Sequence, residues 1–314
     1  MFRLYCNLLI CLIASSYCIC QEDSLILLKK FNYRKADSIA LNFPKKKYKS
    51  FTEITAPLCE KLNTEHEKFR VIFRWISDNI EYNKSASNVA DADKIVSRNK
   101  AVCMGFSSLL KEMCNSVGID CDTISGYTKT EARDIGKKLR KTDHAWNAVK
   151  LYGRWYLVDV TWATSKYNVI THKFEKQFDE HYFITSPEMF ILDHFPKEKK
   201  WQMIKKPVSG KTFIQSPLYY TDYFHLGCHN LSIRKGRFQQ KKGQQLSIYF
   251  SSNTKISEAA LLINTDQTLT PVPVKFDNLT NKYLIDFVPE KPGTYDITLF
   301  FNNLAVLEFI IKVQ

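Results

Sequence analysis

HAWNAVKLYGRWYLVDVTW, residues 144–162, is the stretch on which the fold turns. His144–Leu151 and Trp155–Trp162 are short, largely apolar runs rich in aromatic and β-branched residues, which suits two strands. Tyr152 and Gly153 lie between the two runs and supply a tight turn. With those two residues as the turn, His144 faces Thr161 and Asp159 is its diagonal neighbour on the same sheet face. Diagonal neighbours hold their Cβ atoms roughly 7 Å apart, within reach of a ring and a carboxylate. A slip of one residue would put the two on opposite faces.

Upstream, AVCMGFSSLLKEMCNSV (Ala101–Val117) reads as a helix with Phe106, Leu109, Leu110 and Met113 as its apolar stripe and Gly118 as its stop. A second helix is expected over Glu65–Ile80, where Phe69, Ile72, Phe73 and Ile76 recur at helical spacing and Thr64 with Glu67 forms a capping box. Ile119–Tyr127 suits a strand. Thr128–Thr142 is polar and basic and reads as an exposed loop or short helix, with Lys129–Lys141 leading directly to His144.

Cys103 stands where a loop enters a helix. Only a thiolate is a good nucleophile, and a helix N-terminus favours negative charge through its dipole and its backbone donors. The same donors can hold the oxyanion of a tetrahedral intermediate, and Gly105 clears space beside the sulfur. His144 offers a base for the thiol and Asp159 a carboxylate to orient the imidazole. Packing roles for each of these residues stay open on the residues alone, as they do for Trp75, Trp146, Trp155 and Trp162.

After Lys205 the helical period fades. LSIYF (Leu246–Phe250), AALLIN (Ala259–Asn264), KYLIDFV (Lys282–Val288), TYDITLFF (Thr294–Phe301) and AVLEFIIKV (Ala305–Val313) are strand-like and closely spaced, which predicts an antiparallel sandwich. The expected organisation is a signal segment over 1–20, an α+β domain with a helical start over 21–205, a linker over 206–223 and an immunoglobulin-like β-sandwich over 224–314.

The 314 residues are 45% hydrophobic and 25% charged, a globular balance that excludes general disorder. Arg3, the apolar run Leu4–Ala14 and the SSYCIC segment that follows read as a secretory signal, too short to span a bilayer, and predict a secreted or periplasmic protein without a transmembrane span after cleavage. Removing it leaves Cys59, Cys103, Cys114, Cys121 and Cys228, an odd set compatible with one reactive thiol; a Cys114–Cys121 disulfide is open. The net charge of +13 allows an acidic surface or polymer as partner. Its lysines are scattered, without the basic aromatic-interleaved helix that reads nucleic acid.

AVCMGFSSLL, then GID at Gly118–Asp120, DHAWNAV at Asp143–Val149 and GRWYLVDVTWA at Gly153–Ala163 together resemble the transglutaminase-like superfamily. RWISDNIEYN (Arg74–Asn83) is similar to the helix before the family's cysteine segment. HYFITSPEMFILDHFPKEKKWQ (His181–Gln202) resembles the tail of the kyphoscoliosis-peptidase branch. The resemblance covers roughly residues 50–205. It implies a papain-like α+β core with Cys103 as nucleophile, His144 as base and Asp159 as orienter, acting on a protein or peptide through a thioester. Hydrolysis, as a peptidase or amidase, is preferred over amine transfer, as a crosslinker; a non-catalytic scaffold is the alternative. No metal or organic cofactor is implied. Gly105-Phe106-Ser107 departs from the family's Gly-Tyr-Ala. For an oxyanion donor, Trp75 is a candidate by its place on the preceding helix, with the Cys103 backbone N–H preferred and a core role preferred for Trp75.

Two further patterns carry no chemistry. SGKT at Ser209–Thr212 lacks the upstream glycine of a phosphate loop, and no zinc-ligand spacing occurs after the signal segment.

Overall fold

The computed structural model describes residues 25–86, 90–171, 173–263 and 269–314. The signal expected over 1–20 lies outside them. Two compact units are built from interleaved segments, the first from residues up to 124 with 145–165 and 176–186, the second from 125–144, 166–175 and 187–314.

The first unit opens with helices α1 (Arg34–Leu41), α2 (Thr52–Cys59) and α3 (Glu65–Asn79). The expected stripe of α3 is its core face: Phe69, Ile72, Phe73 and Ile76 are all fully buried. Thr64 is the N-cap, but its hydroxyl bonds the Glu67 carboxylate at 2.5 Å instead of a backbone N–H. Arg70 reaches back from α3 to bond both oxygens of Asp37 on α1 and both of Glu180, with Tyr33, Phe178 and Phe183 around its guanidinium. That fork, matched on two sides by carboxylates, satisfies a charge buried beneath aromatic rings.

A two-residue strand β1 (Glu81–Tyr82) and helix α4 (Ala92–Arg98) lead to β2 (Lys100–Ala101), which pairs in parallel with β1 so that Tyr82 lies opposite Ala101. Helix α5 (Cys103–Ser116) follows at once. Phe106, Leu109, Leu110 and Met113 are fully buried. Gly118 ends the helix as expected. Its φ of +79° lets Gly118 N–H reach Asn115 and Ile119 N–H reach Cys114, the paired bonds of a Schellman stop.

Strand β3 (Cys121–Thr128) comes next, then β4 (His144–Leu151) and β5 (Arg154–Val158). Asn147 pairs with Val158 and Leu151 with Arg154, which is the register that a Tyr152–Gly153 turn dictates. Both turn residues have positive φ, 51° and 78°, the signature of a two-residue hairpin turn. The second strand is shorter than its apolar run suggested. It stops at Val158, and residues 162–164 form a 3₁₀ turn, because the Asp159 carboxylate captures the N–H groups of Thr161 and Trp162 at 2.8 and 3.0 Å.

In the second unit, β6 (Lys166–Asn168) and β7 (Lys173–Glu175) form a hairpin. Helix α6 (Pro187–Phe190) precedes β8 (His194–Pro196), which pairs with the end of β3. The 206–223 stretch carries helix α7 (Gly210–Gln215), strand β9 (Leu218–Tyr219) and the start of α8 (Thr221–His225). Ser209, first residue of the SGKT motif, caps α7 by accepting from Thr212 N–H.

Strands β10 (Arg237–Gln240), β11 (Leu246–Phe250), β12 (Ala259–Ile263), β13 (Thr270–Val272), β14 (Val274–Asp277), β15 (Lys282–Phe287), β16 (Gly293–Phe301) and β17 (Leu304–Val313) complete the chain. They form one sheet in the order β10-β17-β16-β12-β13 and another in the order β11-β15-β14. Ile248, Phe250, Tyr283 and Ile285 of the smaller sheet share a core with Ile297, Leu299, Phe301, Phe309 and Ile311 of the larger, and the Phe250 and Phe301 rings stack at 4.1 Å. This is the expected β-sandwich, antiparallel except that the edge strand β10 pairs in parallel with β17, and the fold class is α+β with the sandwich at the C-terminal end. Among the described residues no helix is long and apolar enough to cross a membrane.

The polar loop before His144 is exposed over most of its length, as expected, but not throughout. Ala132–Asp134 is a single 3₁₀ turn, and Lys129 is buried at 2% exposure. Its ammonium donates to the carbonyls of Phe213, Ser216 and Pro217 and to the Ser216 hydroxyl, at 2.5–3.0 Å. These carbonyls close the C-terminal end of α7, where a cation is electrostatically favoured.

Candidate active site

Cys103 is the first residue of α5, and Val102 before it is extended. The Val102 carbonyl accepts from Gly105 and Phe106, so the first turn is formed from its outset. The cysteine thus takes the dipole-favoured position that its sequence context implied. Of the five described cysteines, Cys103 alone is not buried. Burial raises the Cys59 and Cys228 thiols to about 12 and pushes Cys114 well up. Cys114 and Cys121 are both thiols in hydrogen-bond contact, so the open disulfide is not formed.

Ser107, one turn on from Cys103, explains the departure at that position. Its buried hydroxyl donates to the Trp146 carbonyl at 2.9 Å, and its own carbonyl accepts from Asn147 Nδ2 at 3.0 Å. The two bonds strap the start of α5 to β4, the strand that begins at His144. Trp146 is a core residue, whereas Trp155 and Trp162 are half-buried. Trp75 is buried on α3 and packs in the core.

Asp159 is fully buried. It lies one residue beyond the last hairpin pair, and its backbone is fixed from both sides. Its N–H donates to Tyr182 and its carbonyl accepts from Ala163. One carboxylate oxygen takes the Thr161 and Trp162 N–H groups. Bonds of this kind favour the ionised form.

Tyr82 lies within electrostatic reach of Cys103 and Asp159. Burial, then the Cys103 and Asp159 charges, raise the Tyr82 hydroxyl above its ordinary range, so it stays a protonated donor. Sequence reasoning missed Tyr82. The signal was the short β1–β2 pairing, which sets Tyr82 beside Ala101, two residues before the sulfur; two-residue strands leave no period to read.

His144 is buried at 8% exposure at the head of β4. Asp143, which precedes it, accepts from Thr128 N–H at 2.9 Å, and its carboxyl is raised by burial. The His144 ring centroid is 5.5 Å from that of His194, a residue with no place in the expected triad.

A model of the transglutaminase-like superfamily matches residues 52–160, a span that holds Cys103, His144 and Asp159. This stretch resembles a transglutaminase-like domain. Human kyphoscoliosis peptidase is 36% identical over 181 residues, which cover 56% of this chain and 27% of that protein. Hillarin of Drosophila melanogaster is 29% identical over 216 residues, covering 63% of this chain and 26% of that one. The chain therefore spans about a quarter of the length of these relatives. A solved structure of a TGase overlaps 56% of this chain and 42% of its own at 18% identity, with a TM-score of 0.28. The transglutaminase-like match and the similarity to kyphoscoliosis peptidase agree with the motif order read from the sequence.

Proposed function

We propose that the transglutaminase-like domain is a cysteine acyl-transfer enzyme acting on a peptide or amide carbonyl. Cys103 is the nucleophile, His144 the base and Asp159 the residue that orients the imidazole. The observation that carries this reading is the exposure of Cys103: among the described cysteines the one at the family's motif position is half-buried while the others are buried, and it stands at the N-terminus of a helix.

In this reading His144 takes the proton of the Cys103 thiol, and the sulfur attacks the carbonyl carbon. The tetrahedral oxyanion is held by the N–H groups at the start of α5 and by the Tyr82 hydroxyl. The leaving amine departs with the proton from His144, and a thioester remains. Water then resolves it with His144 again as base, which makes the enzyme a peptidase or amidase. An amine in place of water would make the same thioester a crosslink.

A chloroacetamide probe tests the proposal on the full chain. Mass spectrometry should find labelling at Cys103 that falls in His144→Ala. Equal labelling in wild type and His144→Ala would favour a binding scaffold without chemistry. Incubation with a protein extract, read for new termini against new isopeptide bonds, separates hydrolysis from amine transfer.

A further inference from the structure

The tail that follows the matched domain contains a buried Asp-His pair. Asp193 and His194 are 1% and 0% exposed, and His194 Nδ1 lies 2.6 Å from Asp193 Oδ1. An ionised carboxylate only accepts, so Nδ1–H is the donor, and Asp193 fixes the tautomer of His194. The Phe190 ring stacks on one face of the His194 imidazole at 4.2 Å and 26°. On another side stands His144, its ring at 5.5 Å and 52°, with a nitrogen of each imidazole within 4.8 Å of the other.

We infer that His194, held by Asp193 and Phe190, is a second positioning residue that acts with the proposed orienter Asp159 to set the orientation and tautomer of the His144 ring. The inference rests on the assignment of His144 as catalytic base. The physical case is that an imidazole can rotate about its Cβ–Cγ bond and exchange its proton between two nitrogens, and catalysis needs one rotamer and one tautomer. A neighbour can select among them only if it is itself immobile. His194 meets that condition: one hydrogen bond to a buried carboxylate and one stacked ring fix it, and β8, its own strand, is paired to β3 through Thr128. An Asp-His pair with no solvent exposure also needs a reason to persist, because burying a carboxylate beside an imidazole stabilises a fold no better than an apolar pair of similar volume.

The test uses the full chain with ¹⁵N-labelled histidine and the chloroacetamide labelling rate at Cys103. Asp193→Asn, which keeps the volume of the pair, and His194→Ala should slow labelling by about ten- to a hundredfold. His194→Gln, which retains a donor for Asp193, should recover part of that loss. The His144 ring nitrogens should report a single tautomer in the wild type and shift toward the averaged positions of a mixed one in Asp193→Asn. A slower rate with unchanged His144 nitrogen shifts would mean that His194 acts only through packing, and the inference would fail. Unchanged rate and shifts would also overturn it. Should wild type and His144→Ala label alike, the catalytic reading falls, and the His144 shifts alone then judge whether His194 positions the ring. If His194→Ala does not fold, the near-isosteric Asp193→Asn decides.

Discussion

At the residue scale, reactivity follows from where each thiol sits. Cys59, Cys114 and Cys228 are raised by desolvation, which disfavours the thiolate, while Cys103 stands at a helix N-terminus within reach of solvent. Peptide mapping after brief iodoacetamide treatment should therefore find Cys103 modified in the native protein and Cys59, Cys114 and Cys228 only after denaturation. Tyr82→Phe removes the proposed oxyanion donor without opening a cavity. Turnover of an amide substrate should fall about a hundredfold while the melting temperature stays put, since the loss of one such donor costs about 10²–10³ in rate. Lys129 gives a pH signature of its own. Burial lowers it to about 7 in the fold, against attraction from Asp193 and Asp134, whereas the unfolded chain keeps the ordinary 10.5. Between those values the unfolded chain binds the extra proton, so stability should rise as pH climbs from about 7 to 10.5. Below that window both states are protonated and the slope vanishes. In Lys129→Met the rise should be absent, and urea denaturation at several pH values would reveal it. The same variant removes the Lys129 donor from the Ser216 and Pro217 carbonyls, at a cost of about 1–3 kcal/mol.

At the element scale, ends matter more than middles. The stripe of α5 could be read residue by residue, but what aims Cys103 is how the helix starts and stops. Its start is strapped to β4 through Ser107. Its stop depends on Gly118, whose φ of +79° suits glycine, and a Cβ there would meet nothing within 4 Å. Gly118→Ala should thus cost only the left-handed backbone penalty, about 1–2 kcal/mol, seen as a lower urea midpoint at unchanged slope. The β4–β5 hairpin shows the opposite balance. Its register was legible because a two-residue turn leaves one way to pair. Its end was not: the strand-like run continues through Trp162, and only the Asp159 carboxylate bonding ahead to Thr161 and Trp162 turns the chain out of the strand. The residue that terminates β5 is also the proposed orienter, so Asp159→Ala should lower both stability and Cys103 labelling, whereas His144→Ala should lower labelling alone.

At the scale of the whole molecule, the C-terminal sandwich has a core of its own, with Phe250 stacked on Phe301 between its sheets. Phe301→Ala should destabilise the protein by about 3–5 kcal/mol through lost burial and the cavity left behind, measured by chemical denaturation. The strands over 246–250, 259–263, 282–287, 293–301 and 304–313 were legible as short apolar runs bounded by turn residues, although β16 is buried on both faces from Ile297 to Phe301. Short partners such as β13 and β14 gave no period to detect. Among site residues, Cys103, His144 and Asp159 were nominated by the resemblance of their motifs, in chain order, to the transglutaminase-like superfamily; local chemistry alone left packing roles open for each. Tyr82, Lys129 and the Asp193–His194 pair were beyond such a reading. By itself the amino-acid order determined which segments would be helix or strand, where the hairpin would turn and which three side chains to suspect, because periodicity and turn chemistry act between near neighbours. Only the tertiary structure decided which cysteine meets solvent, which lysine is entombed and which second imidazole stands beside His144. Burial and convergence depend on residues far apart along the chain, and no local pattern encodes them.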